Sequence, residues 1–139
     1  MRETANKEEN KLVTLTVAEC SEFHSMGEFH ENIRSAAEAV SKFKEIPPER
    51  MHGIPAIGIR VADPQNPEDY VELDVLTGRT FDLDMIHYVP EIAENWQAQQ
   101  MIASLIHEMP DAEIEGKIPD SIQKKIDWLE SRGKRADEL

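Results

Sequence analysis

The chain has 139 residues, with 15 Lys and Arg against 28 Asp and Glu, for a formal net charge of −13. That length suits one domain with a core of its own. An acidic balance this large argues against nucleic acid and anionic membrane as partners, since both are held by an excess of Lys and Arg. No apolar run approaches the roughly 18 residues of a membrane span. The single cysteine, Cys20, rules out an internal disulfide. With a polar N-terminus lacking a signal-like apolar stretch, these features predict a cytoplasmic protein.

Residues 1–10 are polar and unpatterned and read as a flexible lead-in. Lys11 to Ala18 is rich in β-branched residues and predicts a strand with Val13, Leu15 and Val17 on one face. Cys20 to Asn32 reads as a loop. Ser35 followed by Glu38 is a capping box, in which a serine accepts an orphan N–H and a glutamate reciprocates. It predicts a helix to about Ile46 with Ala36, Ala39, Val40, Phe43 and Ile46 on its buried stripe, stopped by Pro47-Pro48. Ala56 to Val61 predicts a second strand, with Gly58 marking a close approach of backbone. After a loop at 63–67, Tyr70 to Leu76 and Thr80 to Met85 alternate apolar and acidic residues and predict a hairpin. Residues opposite one another share a face, so placing Val75 and Phe81 on the same side demands an odd loop, such as 77–79, or a bulge. A short helix starting at Asp82 or Asp84 competes with the second strand of that hairpin. Pro90 opens a long helix ending at Pro110, with Ile92, Trp96, Ile102, Leu105, Ile106 and Met109 inward. A last helix is expected from Ser121 to Arg132, capped by Asp120 and closed by Gly133. The predicted fold class is α+β: a small, mainly antiparallel sheet of three to four strands packed by about three helices. Residues 11–133 form the predicted domain and 134–139 a tail.

The charge is concentrated. Residues 61–116 hold 13 acidic side chains and one basic, Arg79, while the segments before and after are close to neutral. With a three-residue hairpin loop, Glu72 would face Asp84 and Asp74 would face Asp82. Like charges directly opposite cost on the order of 0.2–1 kcal/mol per pair. Such a ladder is either an ordinary solvated face or a surface with a use. Glu72, Asp74, Asp82 and Asp84, with Glu91 and Glu94 at the start of the following helix, are therefore the candidate partner-binding residues, fitted to a protein with a basic surface. There is no calcium-binding loop signature, and neither a metal nor a cofactor is expected.

Three other groups carry weaker signals. Cys20, His24 and His30 would suit a thiol- or metal-dependent enzyme, but the surrounding Glu residues oppose thiolate formation and the spacing fits no zinc motif. Residues 46–58, with three prolines and two glycines around the start of the second strand, read as a shaped joint in which Arg50 and His52 could touch an anion. Trp96, Met101, Met109 and Trp128 sit at helical spacing and read as core or as the wall of a partner groove.

Residues 22–34 (EFHSMGEFHENIR) and 45–58 (EIPPERMHGIPAIG) resemble segments of small uncharacterised domains of conjugative mobile elements in gut Firmicutes, of the type associated with polyvalent proteins. The resemblance covers about residues 20–90. It implies a bacterial cytosol, a mobile element and conflict with host defence, and it transfers no individual residue role. The expected function is a non-enzymatic accessory protein that binds a macromolecular partner through its acidic face. Its concrete form is mimicry of nucleic-acid phosphates as an anti-restriction or anti-CRISPR inhibitor. The alternatives are an interaction domain in conjugation, acidic only for solubility, and the thiol or metal enzyme.

Overall fold

The computed structural model describes residues 12–21, 29–46 and 53–138. Strand β1 (Leu12–Ser21) is followed by β2 (Phe29–Ile33), helix α1 (Ala36–Glu45), β3 (Gly53–Asp63), β4 (Asn66–Thr77) and β5 (Thr80–Asp82). A single 3₁₀ turn (Asp84–Tyr88) then leads to α2 (Pro90–Ala93), α3 (Trp96–Glu108), β6 (Glu113–Glu115) and α4 (Asp120–Glu138). The fold class is α+β, with one mixed six-stranded sheet in the order β2-β1-β3-β4-β5-β6. Every pairing is antiparallel except β5 with β6, which is parallel. The sheet is thus larger than the three to four strands expected.

The helices share one face of the sheet. Val13, Leu15 and Val17 of β1 and Ile57, Ile59 and Val61 of β3 form a single core cluster with Ala39, Val40 and Phe43 of α1 and Ala98, Ile102 and Leu105 of α3. The alternation of these strands places Thr14, Thr16, Gly58, Arg60, Glu72 and Asp74 on the opposite face. On that face Thr14 and Thr16 are themselves buried, at 3% and 4% exposure, whereas Glu72 and Asp74 of β4 are exposed.

Local chemistry sets the element ends. The Ser35 hydroxyl accepts from Glu38 N at 3.3 Å, which satisfies an orphan donor of α1. Asp63 Oδ1 accepts from Gln65 N at 2.9 Å, which closes the two-residue turn Pro64-Gln65 between β3 and β4. Asn95 is fully buried, and its side chain accepts from Ala98 N at 3.0 Å. That cap begins a new helix, so the expected single helix from Pro90 is split into α2 and α3. The split rotates Trp96 out of the predicted buried stripe; it is 51% exposed, as Trp128 is 54% exposed. Helix α4 also runs past Gly133 to Glu138 instead of stopping there.

The hairpin resolves its parity by a bulge. Gly78, at φ 63°, occupies the first position of a two-residue turn, Gly78-Arg79. Leu76 then pairs with Phe81, and Thr77 with Thr80. Across β3, Ile57 faces Leu76 and Gly58 faces Asp74, so Val75 is the extra residue. The bulge buries Val75 and Leu76 consecutively, both at 0% exposure, while Asp74 stays on the open face.

Candidate functional site

The open face between β1, β3 and β4 is organised around Arg60. Its guanidinium bonds Glu72 at 2.8 Å and reaches Glu31 of β2 at 3.4 Å. It also lies 4.2 Å from the centre of the Tyr70 ring. Burial alone would lower the Arg60 pKa, but the bond and charge of Glu72, with Tyr70 and Glu31, raise it overall. Glu72 is therefore ion-paired and serves to orient this arginine.

One pair along, Thr16, Gly58 and Asp74 lie side by side across three strands. A Cβ on Gly58 would come within 2.8 Å of Thr16 Oγ1 and 2.9 Å of Asp74 Oδ1, so glycine makes room for the carboxylate. Partial burial, and then repulsion from Glu72, push the Asp74 carboxyl above its usual pKa. A raised folded pKa means that ionisation disfavours the fold. The penalty is absent where the carboxyl is protonated in both folded and unfolded chains. It appears as pH rises through the ordinary aspartate range and is complete above the raised value. Asp74→Asn should therefore stabilise the protein at pH 7 by less than about 1 kcal/mol, since the carboxylate remains partly screened by water. The gain should vanish near pH 3. Urea unfolding at both pH values checks this; no gain at pH 7, or an equal gain at pH 3, contradicts it.

The expected ladder of Glu72 with Asp84 and Asp74 with Asp82 does not form. The two-residue turn sets Leu76 opposite Phe81, a register that continued would place Asp82 opposite Val75 and not Asp74, and the pairing ends at Phe81. Asp84 instead begins the 3₁₀ turn, and its Oδ1 accepts from Lys117 N at 3.0 Å. It latches the chain beyond β6 to the chain beyond β5. Asp82 remains on the open face and finds different acidic neighbours. Parallel pairing sets it beside Glu115 and sets Thr80 beside Glu113. Glu113 and Glu115 were visible only as members of the acidic block, because the partner strand lies more than thirty residues away in sequence. Glu91 and Glu94 are placed elsewhere, on α2 and just after it. The acidic part of the open face accordingly comprises Asp74, Asp82, Glu113 and Glu115.

The thiol–imidazole group is only partly in view. Cys20 pairs with Ile54 in the backbone of β1, and His30 lies opposite Val17. The Cys20 side chain and all of His24 lie outside the described residues, as do Arg50 and His52. Among the described residues, no cluster of three or more His, Cys, Asp or Glu is arranged to hold a metal ion. Among them also, no helix is long and apolar enough to cross a membrane. Comparison with protein families, curated proteins and solved structures yielded no match.

Proposed function

We propose that this protein acts by binding, without chemistry of its own, and that its partner is a protein with a basic surface. The observation that carries this reading is the register of β5 and β6, which sets Asp82 beside Glu115, with Glu113 two residues along β6, where both glutamates are exposed. Arg79, in the β4–β5 turn, is the only Lys or Arg between residues 61 and 116, and Arg60 on the same face is engaged by Glu72 and Glu31. Carboxylates fixed on a rigid sheet cost no ordering when a cationic surface docks, and complementary charge steers the encounter. A concrete form of this reading is occupation of a nucleic-acid channel, with carboxylates taking the place of phosphates in a defence effector. The resemblance to mobile-element domains supports that context.

The test is affinity capture from the native host's cytosol, eluted with a salt gradient. A complex held by such a face should release between about 0.1 and 0.5 M salt, because screening at about 1 M shortens the Debye length to ~3 Å. Partners retained unchanged at 1 M salt contradict it.

A further inference from the structure

Strand β6 lies at an edge of the sheet. Glu113 N donates to Arg79 O at 2.8 Å, and Glu115 O accepts from Leu83 N at 3.1 Å, so both residues turn their backbone groups toward β5. Alternation then turns the N–H and C=O of Ile114 to the opposite, unpaired side. The Ile114 side chain shares the helix-covered face with its partner Phe81, yet it is 41% exposed. Beside it opens a cleft of about 480 Å³ between the end of α3, β6 and α4. Its apolar wall is Ile106, Met109, Ala112, Ile114, Ile118 and Ile126. Glu130 lines its α4 side. The stretch Glu108–Gly116 carries four carboxylates and no Lys or Arg; the nearest cation along the chain is Lys117.

Natural sheet edges are commonly protected by lysine, proline or a bulge. The outer edge of β4 near its start has Pro67 and an irregular register between Ala62 and Asp63. Edge β6 is guarded by its brevity and its two glutamates, yet it keeps an exposed isoleucine whose outward backbone groups have no strand partner among the described residues, beside an apolar cleft. Its carboxylates would repel a second copy of the same chain, which leaves a cationic strand as the complementary occupant. We infer that the β6 edge receives an extended, basic segment of a partner protein, which adds as a further strand antiparallel or parallel to Ile114 and seats an apolar side chain in the cleft. This rests on the reading of an acidic, partner-binding protein and names the form in which the partner is recognised.

The probe is a synthetic ten-residue peptide of alternating Lys and Val, compared with the same peptide N-methylated at alternate residues. The two have equal charge, but the second cannot complete a ladder. With isotope-labelled protein, the unmodified peptide should shift the amides of Ile114 and Gly116, and N-methylation should weaken binding at least tenfold. Equal binding of both peptides, or shifts confined to the open face around Asp74, overturns strand addition while leaving an acidic docking surface intact. If neither peptide binds at low salt, the acidic-surface reading fails together with this inference.

Discussion

Gly116→Ala is expected to destabilise the fold by about 3 kcal/mol, read as a lower urea midpoint with an unchanged slope. Two costs combine. Gly116 has φ 91°, in the left-handed half of backbone space that a Cβ disfavours by roughly 1–2 kcal/mol. The added Cβ would also stand 2.5 Å from the Asp84 carboxylate. That carboxylate cannot withdraw without surrendering its bond to Lys117 N, a charge-assisted contact of about 1.5–3 kcal/mol. The two parts separate in a double-mutant cycle. In an Asp84→Ala background the clash is gone, and Gly116→Ala should cost only the backbone strain. A loss below about 1 kcal/mol in the otherwise unaltered protein would mean that the latch does not hold β6 in place.

Phe81→Ala is the second large effect, about 3–5 kcal/mol. Phe81 is fully buried and lies in register between Leu76 of β4 and Ile114 of β6. Strand β5 has three residues, and Phe81 is its one large anchor in the core. Truncation leaves a cavity and also loosens the only strand that connects β6 to the sheet. Amide exchange at Leu83 and Glu113, whose N–H groups bond across this junction, should accelerate more than exchange in β1 or β3. Phe81→Leu keeps most of the volume and should cost less than about 1.5 kcal/mol. Uniform acceleration across the whole sheet would contradict a local anchoring role.

Both predictions concern the part of the molecule that the sequence leaves least legible. Strands β1, β3 and β4 announce themselves by β-branched residues alternating inward, and α1 by Ser35, Glu38 and the following stripe. Parity alone required an odd loop or a bulge in the hairpin, and the bulge at Val75 is the solution adopted. Strand β2 escapes because Asn32, at φ 62°, sits in a bulge that breaks the alternation of five mostly polar residues. Strand β6 escapes because Glu-Ile-Glu is too short to have a period, and its pairing depends on a distant contact with β5. The helix break at Asn95 is a side-chain hydrogen bond, invisible to apolar spacing that continues through it.

The candidate site follows the same pattern. Composition locates an acidic block but not its neighbours in space. Asp74 and Asp82 do lie on the open face, whereas Glu72 is paired with Arg60 and Asp84 holds a backbone N–H. Glu113 and Glu115 join them through a strand pairing that no local pattern encodes. Neutralising Asp84 would therefore damage the fold and confuse a binding experiment, so the informative charge variant leaves it untouched.

That variant is Asp74→Asn, Asp82→Asn, Glu113→Gln and Glu115→Gln together, which preserves shape and removes four negative charges from one face. The direct test compares its binding with that of the unaltered protein toward the basic partner isolated by capture, at about 0.1 M salt, with unfolding midpoints measured alongside. The expected result is loss of binding by at least a hundredfold, equivalent to about 2.7 kcal/mol, with stability equal to or above that of the unaltered protein. Undiminished binding by the folded variant would contradict the proposed role of the acidic face.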